Sequence, residues 1–180
     1  CDANETVVAW RVAIETRDRP VALVLTRQRV PTLDRTQLGS AEGLQRGAYV
    51  LADAPNGQPE LILLASGSEV SLIVAAWQRL LQQQINARLV SMPSWELFEA
   101  QPRAYRDAVL PPSVRARLAV EAGVPQGWQR YVSDQGDMLG VEQFGASAPG
   151  EVVMREYGLT VENVYTRALA VYEASGRGCQ

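Results

Sequence analysis

Residues 61–91 read LILLASGSEVSLIVAAWQRLLQQQINARLVS, and this stretch decides the fold. Leu61 to Ala65 is an unbroken apolar run of strand length, as expected of a strand covered on both faces. Ser66-Gly67-Ser68-Glu69 turns the chain, and Ser66 with Glu69 has the spacing of a capping box. Beyond it Val70, Ile73, Val74, Trp77, Leu80 and Leu81 recur at helical spacing and predict a helix to about Gln84. Asn86 to Ser91 reads as a second strand. A strand, a helix and a strand in this order close as a right-handed parallel crossover, so the chain is of the α/β class.

The same alternation continues on both sides. Before the crossover, Gly47 to Ala52 predicts a short strand. Asp53-Ala-Pro-Asn56-Gly57 predicts a turn that makes a hairpin into Leu61. After it, Pro93 introduces a short helix or turn at Trp95 to Phe98, and a second helical segment of about 102–108 ends before Pro111-Pro112. A third strand is expected at 117–121, a short helix or loop at 127–131 and a further strand at 137–142. Phe144-Gly-Ala-Ser-Ala-Pro149 turns into a helix of about 150–157. Thr160 caps a last helix carrying Val161, Val164, Tyr165, Ala168, Leu169 and Tyr172, and residues 175–180 read as a frayed tail.

The opening residues fit this domain less well. Asp2 and Glu5 make a capping pair for a helix to about residue 16, which Arg17-Asp-Arg-Pro20 stops. Val21-Ala-Leu-Val-Leu-Thr26 is apolar on both faces, like a central parallel strand, and such a strand needs neighbours on each side. Residues 27–46 are polar and turn-rich, with Pro31, Gly39 and Gly43. The expectation is the broken-off edge of one α/β domain, a connection, and one complete small α/β domain.

Composition narrows the chemistry. The 180 residues are 47% hydrophobic and 21% charged, with a net charge of -3, which argues against a nucleic-acid groove. There is no histidine, so this chain contains no His-based acid–base group and no His metal ligand. All 17 basic residues are arginine; arginine forks suit anions, and drift in the composition of the source accounts for the same count. Cys1 and Cys179 lie one at each end without metal-ligand spacing. They indicate a reducing compartment, with a terminus-to-terminus disulfide as the alternative. No apolar run is long enough for a membrane span, and no secretion signal opens the sequence.

Three places invite a functional reading. Arg27 and Arg29 follow the carboxyl end of an apolar strand, where open α/β sheets bind ligands, and an arginine there suits a phosphate; ordinary surface placement is the alternative. Ser66 to Glu69 opens a helix whose free N–H groups favour an anion, but Glu69 in the first turn competes for the same field, so a structural cap is the better account. Gly145-Ala-Ser147-Ala-Pro149 has the look of a serine elbow without its spacing, and no histidine exists to activate Ser147. Trp77 belongs on an apolar helical face. Trp95 and Trp128, near loops, read as core or interface packing ahead of ligand stacking. The acidic residues show no metal-loop spacing and no paired-carboxylate arrangement.

Six segments taken together carry a resemblance: Thr26-Arg27-Gln28 after the apolar run, Gly47-Ala-Tyr-Val50, Leu64-Ala-Ser-Gly-Ser-Glu-Val70, Val90-Ser-Met-Pro93, Ala119-Val-Glu-Ala-Gly123 and Phe144-Gly-Ala-Ser-Ala-Pro149. In this order they resemble the C-terminal part of the transketolase family, over residues 1 to about 173. Pyruvate dehydrogenase and deoxyxylulose-phosphate synthase share the domain type, but the Ser-Met-Pro and Phe-Gly-Ala-Ser-Ala segments are more similar to transketolase. The resemblance implies that residues 1–28 end a pyrimidine-binding domain, 29–46 form an interdomain linker, 47–174 form a transketolase C-terminal-like domain and 175–180 a tail. It implies a three-layer α/β/α fold with a mostly parallel five-stranded sheet and one antiparallel strand.

The resemblance also implies a cytoplasmic homodimer that moves a two-carbon ketol unit between sugar phosphates with thiamine diphosphate and magnesium. The cofactor-binding and catalytic residues of that enzyme would lie upstream. One site residue is carried over: Arg27, matching the arginine that binds the sugar phosphate at the mouth of the cleft. Gln28 matches a neighbouring position and is given no substrate contact. Catalytic, cofactor and metal residues are expected in none of these positions, and the fragment alone is expected to be inactive. Two other classes stand beside this reading: an independent phosphate- or nucleotide-binding module at Ser66–Glu69, and a structural dimerisation domain docking through residues 2–26. Neither nucleic acid nor membrane is an expected partner.

Overall fold

The computed structural model describes residues 1–176. Its strands are β1 (Tyr49–Ala52), β2 (Leu61–Ala65), β3 (Ala87–Ser91), β4 (Arg117–Val120) and β5 (Asp137–Leu139). Its α-helices are α1 (Ala3–Glu15), α2 (Val70–Gln82), α3 (Trp95–Glu99), α4 (Arg103–Val109), α5 (Gln129–Val132), α6 (Gly150–Glu156) and α7 (Val161–Gly176). The strands form one sheet in the order β1-β3-β2-β4-β5. All pairings are parallel except β1 with β3, which is antiparallel.

Strand β2 lies centrally and every one of its residues is fully buried. The two-residue period of a strand sends alternate side chains to opposite faces. Leu61, Leu63 and Ala65 meet Ile73 and Leu80 of α2 and Val164 and Ala168 of α7. Ile62 and Leu64 meet Phe98, Val109, Trp128 and Tyr131 from the short helices α3 to α5 and their flanks. Two helical layers thus cover the sheet, giving the three-layer α/β/α arrangement with one antiparallel strand. A small third cluster joins Val8 of α1 to Ala41 and Leu44 in a 3-10 turn, Ala41–Arg46.

Several expectations are qualified or corrected. Residues 21–26 form no strand and Val24 is 96% exposed, as expected of a strand whose neighbours are missing. Strand geometry requires a ladder partner, and among the described residues no other strand pairs with it. The β1–β2 hairpin does not form either, because β3 lies between them. The connection at 53–60 spans two strand spacings instead of one, so Asn56-Gly57 turns the chain without joining paired neighbours. Ser66 makes no cap hydrogen bond, and a 3-10 turn at Gly67–Glu69 precedes α2. The strand expected at 137–142 ends at Leu139, and the helix at 70–84 ends at Gln82. Of the expected tail, Ser175 and Gly176 complete α7, while 177–180, with Cys179, lie outside the described residues.

Two arginines on the strands hold the amino-terminal side of the sheet together. Arg88 makes a bidentate pair with Asp53 at 2.8 and 2.9 Å and donates to the carbonyls of Ala108 and Val109. Arg117 donates to four carbonyls, of Val114, Leu110, Pro111 and Tyr131. A guanidinium has enough donors to satisfy several loop carbonyls at once, which a lysine ammonium does less well.

At the other side of the sheet, connections leave β2 and β4 in opposite directions, so their carboxyl ends border a topological switch point. The Ser66 hydroxyl donates to Glu121 at 2.6 Å. Glu69, 3% exposed, accepts from the Ser68 hydroxyl at 2.6 Å and from the Ala122 N–H at 3.2 Å. Burial pushes the Glu121 carboxyl above its ordinary range, the Ser66 hydrogen bond works against that shift, and the nearby Glu69 charge adds to it. A cleft of about 310 Å³ opens here, bordered by Ser66, Met92, Ser94, Trp95, Glu121 and Val124, with no arginine in its lining.

Leu63→Ala should cost about 2–5 kcal/mol, read from urea unfolding, because a fully buried central leucine leaves a cavity. Glu121 has a raised folded pKa, so its stabilising contribution is present at acid pH and is lost as pH rises through that pKa. Glu121→Gln should therefore have a higher urea midpoint than the parent at neutral pH, with the gap closing as carboxylates protonate. A gap that does not change with pH would contradict this.

Candidate functional site

Arg27 sits in an exposed segment between α1 and the sheet domain. Local chemistry shapes the segment: the Gln28 N–H donates to the Thr26 hydroxyl oxygen at 3.1 Å, a side-chain-to-backbone turn. Among the described residues, Arg27 and Arg29 have no carboxylate partner. Most other exposed arginines do: Arg79 pairs with Glu162, Arg106 with Glu99 and Arg115 with Asp134. An arginine without a counter-charge on an open surface is the kind that can accept a phosphate.

The segment does not hang free at both ends. The Gln28 carboxamide lies over Gly150, the first residue of α6. The preceding turn is held from the other side, where the Tyr157 hydroxyl donates to the Phe144 carbonyl at 2.7 Å. Phe144 itself is fully exposed, and Ser147 lies in the same exposed stretch with no base beside it. A neighbouring groove of about 450 Å³ contains Arg167. Asp137 takes that guanidinium with two hydrogen bonds at 2.6 and 2.7 Å, so the groove offers no free cation.

The amino end of the segment is set by α1, and α1 is pinned to the sheet by buried polar groups. Asp2 caps the helix, accepting from the Glu5 N–H at 2.9 Å, and also accepts from the Leu33 N–H and from Arg35. Burial opposes ionisation of Asp2, but those three hydrogen bonds outweigh it and hold its pKa below the ordinary value. Glu5, 2% exposed, does not complete a capping box. Its carboxylate accepts from the Tyr49 hydroxyl at 2.7 Å and the Ser91 hydroxyl at 2.6 Å, and Tyr49 and Ser91 are register partners on β1 and β3. Burial, and then the Glu5 charge, push the Tyr49 phenol upward. The opposite face of α1 is bare: Val7, Trp10 and Ile14 are exposed, and the exposed run continues through Val21, Val24 and Leu25. An apolar surface of this kind marks an interface.

The remaining sequence candidates separate cleanly. Ser66 and Glu69 lie at the switch point, but two carboxylates occupy the position an anion would need, so the structure gives the phosphate-module reading no cation there. Trp128 is buried and meets Trp95 edge to face at 5.2 Å, with Tyr131 against both, and Trp77 donates its indole N–H to the Ala87 carbonyl. All three are packing residues. Gly127, at φ 96°, lies so close to the Trp95 ring that a Cβ would collide with it. Sequence reasoning missed the Glu5–Tyr49–Ser91 connection, because it links residues far apart in the chain. It also missed Gly150, whose only signal was a glycine at a helix start.

Residues 47–160 match the family model described as the transketolase-like TK C-terminal domain. The transketolase of Geobacillus stearothermophilus is 56% identical over 170 residues, which is 94% of this chain and 25% of that protein. Transketolase 1 of Escherichia coli is 48% identical over 168 residues, 93% of this chain and 25% of that protein. Among solved structures, transketolase from Leishmania mexicana superposes with a TM-score of 0.87 at 41% identity, over 96% of this chain and 24% of that one. The Pichia stipitis transketolase in complex with sedoheptulose-7-phosphate does so with a TM-score of 0.85 at 35% identity, over 96% of this chain and 24% of that one. The chain spans about a quarter of the length of these relatives. With the β1-β3-β2-β4-β5 sheet and the helices on both its faces, these matches place it: the chain belongs to the transketolase family, in the C-terminal domain of that family and the segment leading into it.

Proposed function

We propose that this chain is the C-terminal quarter of a thiamine-diphosphate- and magnesium-dependent transketolase, which transfers a two-carbon ketol group between sugar phosphates, and that Arg27 binds the substrate phosphate. The observation that carries the reading is Arg27 itself, an exposed guanidinium with no carboxylate partner among the described residues, beside a bare apolar face. On this reading residues 1–28 end the pyrimidine-binding domain, 29–46 are the linker and 47–174 the C-terminal domain. The exposed face of α1 and the apolar 21–26 run then dock on upstream sequence, where the run gains its ladder partners. The parent enzyme is a cytoplasmic homodimer. Among the described residues no helix is long and apolar enough to cross a membrane.

The residues of this chain do not fit a cofactor site. No histidine occurs in the sequence, and among the described residues no three of Cys, Asp and Glu gather as metal ligands. When bound, thiamine diphosphate supplies the carbon–carbon bond chemistry; upstream residues are proposed to hold it and its magnesium. The part played here is positioning. Charge-assisted hydrogen bonds from Arg27 to the phosphate fix the far end of the sugar, so that its carbonyl end is presented correctly. The Pichia stipitis relative, described in complex with a sugar phosphate, supports that substrate class.

In the full-length enzyme, Arg27→Ala should raise KM for a phosphorylated ketose roughly tenfold to a hundredfold, as expected for about 1.5–3 kcal/mol of charged hydrogen bonding. Unphosphorylated ketose should be turned over as before; equal losses on both would remove the phosphate role. The 180-residue chain alone, given thiamine diphosphate, magnesium and sugar phosphates, should show no turnover. Cofactor-dependent activity from that chain would overturn the assignment of catalysis to upstream residues.

A further inference from the structure

We infer that Gln28, seated on Gly150, is a positioning residue for the phosphate-binding arginine, so that the C-terminal domain tunes substrate affinity without touching the substrate. The inference rests on the reading of Arg27 as the phosphate ligand. On that reading residues 21–26 gain ladder partners from upstream sequence, but residues 27–29 lie beyond that run, and Arg27 is exposed. A guanidinium on such a segment samples many positions, and ordering it on binding weakens affinity. Two contacts next to Arg27 reduce that freedom. One is local, the Gln28 N–H to the Thr26 hydroxyl. The other reaches across the chain, where the Gln28 carboxamide occupies the place of a Gly150 side chain.

The second contact depends on glycine for a steric reason. A Cβ built at Gly150 would stand 2.6 Å from Gln28 Cδ, well inside van der Waals contact, so a side chain there displaces the carboxamide. Backbone conformation makes no such demand: Gly150 is helical, and its φ is not in the left-handed region. Alanine at this position is therefore compatible with the fold and favours the helix. The seat is itself fixed, since the N–H groups of Val152 and Val153 bond the Pro149 carbonyl and Tyr157 holds the Phe144 carbonyl.

The test uses the full-length enzyme with fructose 6-phosphate and with fructose, comparing Gln28→Ala, Gly150→Ala, the double variant and Arg27→Ala. Gln28→Ala should raise KM for the phosphorylated sugar roughly three- to tenfold, through the freedom returned to one side chain and its loop, with kcat unchanged and kinetics on fructose unchanged. Gly150→Ala should raise the same KM, and the double variant should be no worse than Gln28→Ala, because both act through one contact. Unchanged urea midpoints exclude loss of folding as the cause. If Arg27→Ala raises KM for fructose 6-phosphate while Gln28→Ala and Gly150→Ala leave it unchanged, the positioning inference fails and the phosphate assignment stands. Additive effects of Gln28 and Gly150 would also overturn it. If Arg27→Ala itself leaves that KM unchanged, the phosphate assignment fails and the inference with it.

Discussion

The carboxylate of Glu5, buried between the hydroxyls of Tyr49 and Ser91, is the contact on which the relation between α1 and the sheet depends. Burying a charge is costly unless hydrogen bonds or a counter-charge replace water, and here two hydroxyls from adjacent strands act on one carboxylate oxygen while the Cys1 ammonium pairs with the other. Arg35 extends the arrangement, donating to Tyr49 at 3.0 Å and to Asp2 at 2.9 Å. Because Tyr49 and Ser91 face each other across the β1–β3 ladder, α1 is referenced to the sheet edge by groups with one satisfactory geometry. An apolar contact alone would let the helix slide. The small Val8–Ala41–Leu44 cluster adds burial without adding such directionality.

That anchoring gives the exposed residues their meaning. One side of α1 is held by polar groups and a little apolar packing, and the other presents Val7, Trp10 and Ile14 to solvent. Residues 21–26 are apolar and unpaired among the described residues, and then comes Arg27. Among the described residues this apolar surface is left uncovered, while the sheet is covered on both faces. The arginine content follows the same division. Arg88 and Arg117 hold loops to the base of the sheet, others sit in surface ion pairs, and Arg27 and Arg29, like Arg17, Arg46 and Arg130, have no acidic partner among the described residues. Counting arginines therefore says little about anion binding; their partners decide it.

Much of the sheet domain was legible from period alone. The apolar run 61–65 could only be a strand buried on both faces, and the helical spacing from Val70 to Leu81 could only follow it as a crossover. Val21 to Thr26 has strand composition and, as expected of a strand whose neighbours are missing, stays unpaired among the described residues. Local reasoning went astray where two structures share one pattern. Ser66 and Glu69 have capping spacing, yet the Ser66 hydroxyl donates to Glu121, far along the chain, and accepts no helix N–H. Asn56-Gly57 makes a good turn, but the turn does not say which strand will lie alongside.

The sequence by itself determined the class of fold, the order of the elements around residues 61–91, the absence of histidine chemistry and the resemblance that drew attention to Arg27. Each of these depends on composition or on spacing between near neighbours, which the chain carries whatever its shape. Only the tertiary structure decided that β3 separates β1 from β2, that Glu5 is an anchor in place of a cap, and that Gln28 meets Gly150. Those facts depend on which distant residues share a few ångströms of space, and that is settled by packing two apolar faces against one sheet while most buried polar groups find a partner.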